Sequence, residues 1–143
     1  MENVLVSACL LGVSCRYDGK SKGDSSIIKL ADKYNLIPVC PEIYGGLPTP
    51  RTPSERVGEH VMMSDGTDVT QNYQRGADET LRLCRVFDIK IAVLKLRSPS
   101  CGKGQIYDGS FSGSLVDRDG VTAELLMKNG IHVIGEDEIE TIL

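Results

Sequence analysis

The fold prediction rests first on the segment KIAVLKLRSPSCG, residues 90–102. It begins with a short run of aliphatic and β-branched residues, a pattern typical of a strand buried on both faces of a parallel sheet. A Ser-Pro-Ser sequence then ends the strand and leads directly to Cys101. The same order, an apolar run followed at once by a cysteine, occurs twice more, in VSACLLG (residues 6–12, with Cys9) and IPVCPE (residues 37–42, with Cys40). Three separate predicted strands therefore each end at a thiol.

The segments between these strands have the apolar spacing of helices. A helical period is found at residues 25–35, 70–87 and 119–130, and a fourth apolar run, IHVIG, follows at 131–135. Strands that alternate with helices and are apolar throughout predict an α/β fold. We expect one Rossmann-like domain over residues 1–143, with an open, mostly parallel sheet of about four strands and helices on both faces.

The rest of the chain lacks a regular period. Proline and glycine interrupt residues 41–53, and residues 98–120 are rich in glycine, serine and aspartate, so both segments are predicted as long loops. A short hairpin is predicted within residues 59–70, with its turn at Asp65-Gly66. Residues 136–143 have the pattern of a short amphipathic terminal helix. Long loops in a small domain commonly carry function.

Composition and charge exclude several functional classes. The chain has 143 residues, of which 41% are hydrophobic and 25% charged, and a formal net charge of -4. Such a mildly acidic chain argues against a nucleic-acid partner, because phosphate binding needs clustered basic residues. The N-terminal apolar run is short and carries Glu2 where a signal peptide has basic residues, so we expect neither a signal peptide nor a membrane span. Five cysteines without an export signal favour the reducing cytoplasm over a disulfide framework.

The positions of the cysteines predict where a site lies. In open parallel sheets, ligands bind beyond the carboxyl ends of the strands. Cys9, Cys40 and Cys101 follow three such ends, so we expect their thiols to converge on one rim of the sheet. Cys84 falls on the apolar face of the helix at 70–87 and is expected to be a core residue. Cys15 lies in a polar loop, where a spectator, a resolving thiol and an extra ligand all remain open.

The type of ligand narrows the choice of metal. The two histidines of the chain, His60 and His132, lie outside the three cysteine stretches, so only soft thiolates meet at the predicted rim. Thiolates suit zinc, copper(I) or an iron-sulfur cluster. Structural zinc sites usually contain paired CxxC motifs, and this sequence has none. Three widely spaced cysteines suit a [4Fe-4S] cluster that keeps one iron free of protein ligands and open to a substrate atom.

Three motifs carry a resemblance to a known family. VSACLLGVSCRYDG, PVCPEIYGGLPTPRTPSE and LKLRSPSCG resemble, in the same order, segments of the thiouracil desulfidase family. The resemblance implies a [4Fe-4S] enzyme that removes sulfur from a small-molecule thiopyrimidine without net redox change, releasing uracil and sulfide, with the substrate sulfur bound to the open iron. It also implies that Cys9, Cys40 and Cys101 are the cluster ligands and that Glu42 and Ser98 are catalytic.

These roles agree with the chemistry of the residues. A carboxylate such as Glu42 activates water or protonates a ring nitrogen, and the hydroxyl of Ser98 orients that water or donates to developing charge. Arg16 and Arg51 are candidates to hold a ring carbonyl oxygen, and both also fit plain surface charges. Two other functions remain open. One is a cluster-bearing sensor or sulfur carrier without turnover, and the other is a metal-free thiol protein with Cys101 as nucleophile, although no histidine base accompanies it.

Overall fold

Four of the predicted apolar runs form one parallel sheet. This computed structural model describes all 143 residues, and its strands and helices follow one another in the order β1 (Asn3–Ser7), α1 (Ser25–Ile28), β2 (Asn35–Val39), α2 (Pro41–Tyr44), β3 (Ser54–Val57), β4 (His60–Met63), α3 (Thr70–Val86), β5 (Ile91–Leu94), β6 (Gln105–Tyr107), β7 (Leu115–Asp117), α4 (Val121–Lys128) and β8 (His132–Gly135). The main sheet has the order β2-β1-β5-β8, and every neighbouring pair is parallel. The predicted α/β fold with a parallel four-stranded sheet is confirmed, whereas the more specific Rossmann-like comparison stays a prediction.

The strand order creates a crevice at one edge of the sheet. The chain moves from β1 outward to β2 and then crosses to β5 on the other side of β1. A reversal of this kind leaves an opening beyond the carboxyl ends of the two central strands. The loops that follow β1, β2 and β5 therefore meet above the same edge.

Both faces of the sheet are covered by helical segments, as expected. Because successive side chains of a strand point to opposite faces, Val4 and Val6 pack with α1 and the 3₁₀ turns at Lys29–Asp32 and Glu136–Thr141. Leu5 lies on the other face, in the core that α3 and α4 cover. Burial of these aliphatic side chains from both directions explains why the strands are apolar throughout.

The short helix α2 lies unusually close to the long helix α3. A Cβ added at Gly76 of α3 would lie 1.9 Å from the carbonyl oxygen of Pro41, and one added at Gly45 would lie 2.0 Å from that of Asn72. Only glycine therefore allows the two backbones to touch at these points. The contact fixes α2, which begins directly after Cys40, against the helix that carries Tyr73.

Several local predictions need correction. The hairpin pairs β3 with β4 and turns at Gly58-Glu59, because Gly58 has a left-handed φ of 58° that suits a two-residue turn. The predicted turn at Asp65-Gly66 closes only a single bridge between Met62 and Asp68. The predicted loop at 98–120 contains the two-stranded ribbon of β6 and β7.

The ends of two predicted helices also differ from expectation. The helix expected at 25–35 is α-helical only over Ser25–Ile28 and continues as a 3₁₀ turn, and the terminal helix is entirely a 3₁₀ turn. The helix at 70–87 is confirmed by α3. None of the helices has both the length and the apolar character needed to cross a membrane.

Candidate active site

A cavity of about 670 Å³ opens at the carboxyl edge of the sheet. Four of the five cysteines line it. The fifth, Cys84 of α3, is instead buried in the core, as predicted. The four thiols come from three loops, since Cys9 and Cys15 follow β1, Cys40 begins α2 after β2, and Cys101 follows β5. The predicted convergence of three strand ends is therefore present in the tertiary structure, and a fourth thiol joins them.

The thiols surround the cavity without forming a compact cage. No group of three cysteine, histidine or carboxylate side chains lies close enough to hold a single metal ion. Cys9 and Cys101 are buried, and Cys40 is half-buried. The arrangement is thus unlike that of a structural zinc site, in which four ligands surround one ion.

The protonation of the thiols follows from their burial. Burial is the main cause that raises the pKa of Cys9 to about 11, against the opposing charges of Lys95 and Arg16. Burial also raises the pKa of Cys101, while a hydrogen bond with Ser7 acts in the opposite direction. Both groups are therefore thiols at neutral pH in the protein alone, and binding of a metal has to release their protons.

The thiols of Cys40 and Cys15 are in contact, and their pKa values shift in opposite directions. A hydrogen bond from the Cys15 thiol is the main cause that lowers the pKa of Cys40 to about 7. The same contact, together with burial, raises the pKa of Cys15. The Cys40 sulfur lies 3.8 Å from the Cys15 carbonyl oxygen, so the loop after β1 reaches the loop after β2. Cys40 is therefore the thiol of the group that is most readily deprotonated.

Glu42 lies on the cavity wall two residues after Cys40, held by two donors. The Nε atom of Arg51 is 3.1 Å from its Oε1 atom, and the hydroxyl of Tyr73 donates to the same oxygen over 2.8 Å. Burial, followed by the charge of Glu42, raises the pKa of Tyr73, so its hydroxyl stays protonated and remains a donor. Arg51 is not a surface charge, because its side chain is only 3% exposed.

Ser98 holds the loop that carries Cys101. Its Oγ atom accepts hydrogen bonds from the backbone N–H groups of Ser100 and Cys101, each over 3.1 Å. Such a turn fixes the backbone just before the thiol. The oxygen already accepts two bonds, so the hydroxyl hydrogen is the part of Ser98 left to act on a ligand in the cavity.

A second ion pair lies near Cys9, and its lysine lines the cavity. The Lys95 ammonium is 3.0 Å from Glu136, and Glu136 also accepts a 2.6 Å hydrogen bond from the Leu96 backbone. The sequence indicates nothing of this pair, because Lys95 lies within a strand-like run and Glu136 in the terminal segment. Tyr73 was likewise predicted only as part of an apolar helix face. A signal for it existed, since a buried tyrosine hydroxyl usually needs a hydrogen-bond partner.

These features define a class of protein: an α/β domain with a thiol-lined cavity at the carboxyl edge of a parallel sheet and a held carboxylate beside the thiols. Residues 4–138 match the 2-thiouracil desulfurase family. The chain belongs to this family, which confirms the resemblance carried by the three cysteine motifs.

Two relatives cover nearly the whole chain. A solved structure named [4Fe-4S]-dependent thiouracil desulfidase TudS has 47% sequence identity and a TM-score of 0.94, over 99% of this chain and 95% of that one. The uncharacterized protein YbbK of Bacillus subtilis (strain 168) is 41% identical over 150 aligned residues, which cover 98% of this chain and 99% of the relative. The fold is thus shared along its full length with a protein whose name carries the predicted cofactor.

Proposed function

We propose that this chain is a [4Fe-4S]-dependent desulfidase of thiolated pyrimidines, as its family membership and its 47% identical structural neighbour suggest. The observation that carries the proposal is that Cys9, Cys40 and Cys101, from three different strand ends, line one cavity together with Glu42. Sulfur donors, a proton-transfer group and room for a small planar ligand are the parts that such a reaction needs.

The donor set fits a cluster better than a single ion. Three soft sulfur ligands are suited to iron-sulfur chemistry. The absence of three groups around one ion is compatible with a cluster, because each thiolate there binds a different iron. Cys9, Cys40 and Cys101 would hold the cluster. When bound, it would supply Lewis-acid chemistry that polarises the carbon-sulfur bond of the substrate.

The side chains of the protein account for the protons of the reaction. A thiocarbonyl and one water become a carbonyl and hydrogen sulfide, so oxygen replaces sulfur on the same carbon and both protons of the water leave with the sulfur. No electrons are gained or lost. Glu42 removes a proton from the attacking water and passes it to the departing sulfur, directly or through a ring nitrogen that then releases it. The hydroxyl of Ser98 donates to the charge that develops on the substrate.

The surroundings of the site suit a planar substrate on which negative charge develops. Tyr17, Tyr107 and Phe111 contribute ring surface to the lining of the cavity, and Arg16 adds a positive charge. Aromatic rings bury flat ligands, and a cation attracts a ring oxygen as negative charge develops on it. A small thiopyrimidine is therefore the partner that this cavity favours.

The test is anaerobic reconstitution with iron and sulfide, followed by incubation with 2-thiouracil, 4-thiouracil and thiolated nucleosides. We expect a brown protein with iron and acid-labile sulfide that releases many equivalents of sulfide per cluster and forms uracil from thiouracil. A protein that binds the cluster and releases at most one equivalent would instead be a sensor or sulfur carrier.

The metal-free alternative has less support. Cys101 is buried and its pKa is raised, whereas nucleophilic cysteines are accessible thiolates. No histidine lines the cavity to act as a base for it. Sulfide release by the protein after complete removal of iron would favour this alternative over the cluster-dependent reaction.

A further inference from the structure

Arg51 is a buried charge that connects its own loop with the loop after β1 and with helix α2. Besides Glu42, its guanidinium donates to the carbonyl oxygen of Cys15 over 2.9 Å and to that of Pro48 over 3.2 Å. It also donates to the hydroxyl of Thr49 over 3.0 Å. Because each of these bonds is directed, the rigid fork of the guanidinium is held in one orientation. Four of the five N–H groups of Arg51 are therefore used by the protein, and the side chain has little freedom to turn toward a substrate oxygen.

The two donors to Glu42 act on one oxygen only. Arg51 and Tyr73 both bond to Oε1, and Oε2 makes no hydrogen bond to the protein. No buried side-chain oxygen or nitrogen of this protein lacks a partner, so the unpaired Oε2 must be reached by solvent. The Glu42 side chain is 16% exposed, which agrees with one sealed oxygen and one open oxygen.

The backbone supports this asymmetry. Glu42 lies in the first turn of α2, and Tyr73 lies in the first turn of α3. The glycine contact between the two helices, through Gly76 and Gly45, sets the distance between their side chains. The side chain of Asn72 reinforces the contact by donating to the Gly45 carbonyl oxygen over 2.9 Å.

We propose that Arg51 and Tyr73 are positioning residues that hold Oε1 of Glu42, so that Oε2 alone exchanges the proton with water or substrate. This role rests on the proposed desulfidase function and assigns the reacting atom within it. A carboxylate that is free to rotate presents either oxygen in many orientations, whereas a held carboxylate keeps one oxygen aimed at the cavity. Reaction rates depend on this orientation, because a misplacement of a catalytic group by about 1 Å costs up to about 10²-fold in rate.

The first test compares Tyr73→Phe with Tyr34→Phe in reconstituted protein. Tyr34 is a matched control, because it is also buried and its hydroxyl donates to the Ile142 carbonyl oxygen over 2.6 Å, away from the cavity. We expect Tyr73→Phe to keep its iron content and KM while kcat for thiouracil falls about tenfold. Tyr34→Phe should keep kcat at the wild-type value and lower only the thermal midpoint. Wild-type kcat in an iron-loaded Tyr73→Phe variant would overturn the role.

The second test combines Tyr73→Phe with Glu42→Gln in a double-mutant cycle. Since Tyr73 acts through the carboxylate, its substitution should lower kcat in the wild-type background and cause no further loss in the Glu42→Gln background. An equal loss in both backgrounds would overturn the positioning role and leave a merely structural one. Arg51→Lys keeps the charge but loses the fork, so it should lower kcat about as much as Tyr73→Phe or more.

The failure of the proposed function can be distinguished from the failure of this role. If reconstituted wild-type protein releases no sulfide, the desulfidase function is wrong and the role falls with it. If wild-type protein turns over and the Tyr73→Phe and Arg51→Lys variants match it, the desulfidase function stands and only the positioning role is wrong.

Discussion

The sheet and the rim above it are stabilised by different forces, and the two buried cysteines Cys84 and Cys101 illustrate this difference. Cys84 of α3 packs among aliphatic side chains of the core, where its sulfur contributes only contact area. Cys101 is buried in the same apolar cluster, yet it also lines the cavity, in a loop held by the directed hydrogen bonds of Ser98. Apolar packing tolerates small changes in direction, whereas hydrogen bonds do not. Stability therefore depends mainly on the sheet, and chemistry depends on the rim.

The strongest test of this comparison replaces cysteines from the two regions. We expect Cys9→Ser, Cys40→Ser or Cys101→Ser to lose most of the iron and acid-labile sulfide, because a hydroxyl is a poor ligand for iron in a cluster. Cys84→Ala should keep the full iron content and lose about 1 kcal/mol of unfolding free energy. Iron analysis and urea unfolding check both. Full iron loading and full turnover of Cys40→Ser would show that the three-ligand assignment is wrong.

A substitution that removes the proton-transfer group and leaves the three cysteines in place tests the chemistry of the rim separately from cluster binding. Glu42→Gln keeps the shape of the side chain but cannot exchange a proton. We expect near-normal iron content, retained thiouracil binding and a turnover lowered by roughly 10²–10⁴-fold, the usual contribution of a general acid or base. Steady-state sulfide release by the iron-loaded variant measures this. If turnover is unchanged, Ser98 becomes the likelier agent of proton transfer.

A substitution at the boundary between the two regions should affect both. The Cβ of Gly76→Ala would overlap the carbonyl oxygen of Pro41, so α2 has to move away from α3. Overpacking of this kind costs about 1–3 kcal/mol, and the movement separates Glu42 from Tyr73 and lowers turnover as well. Gly23→Ala is the control, because a Cβ added at Gly23 would lie 3.5 Å from the nearest non-neighbouring atom, the Cα of Gly12. Loss of stability in Gly76→Ala with wild-type kcat would separate the helix contact from catalysis.

The smallest effect is expected at an ion pair on the outside of the rim. Arg56 of β3 lies 2.8 Å from Glu124 of α4 and lowers the pKa of that carboxyl. The carboxyl side chain is 40% exposed, so solvent screening limits the pair to less than about 1 kcal/mol. A carboxyl whose pKa is lower in the folded state stabilises above its unfolded pKa of about 4.3, and this contribution is lost as the pH falls through the folded value.

Unfolding of Glu124→Gln at two pH values tests the sign of this effect. The variant should be slightly less stable than the wild-type protein at pH 7. The difference should close in acid, where the protonated Glu124 of the wild type is as uncharged as the glutamine of the variant. Glu59→Gln is the control, because that side chain is 94% exposed and 3.9 Å from Arg118. A difference that persists in acid would mean that Glu124 stabilises the protein by packing and not by charge.

The parts of the fold that follow from local pattern were predictable. The four apolar strands and the helix at 70–87 have periods long enough to identify, because burial dictates residue type at each position. The hairpin was misplaced because Asp65-Gly66 is as good a turn signal as Gly58-Glu59, and only pairing with Ser54–Val57 decides between them. The ribbon of β6 and β7 was missed because short, largely exposed strands have little apolar signal.

The sequence was enough to predict the sheet, the order of strands and helices along the chain and the three cysteines at strand ends, since parallel strands bring their carboxyl ends to one edge wherever the loops go. Only the tertiary structure decided which other residues join them. Tyr73 is 31 residues from Glu42 in the sequence and reaches it through the glycine contact between α2 and α3. Arg51 and Lys95 reach the cavity from the loops in which they lie, and no local pattern records these meetings. The physical reason is that burial acts on each residue alone, whereas a hydrogen bond needs two residues in a mutual geometry.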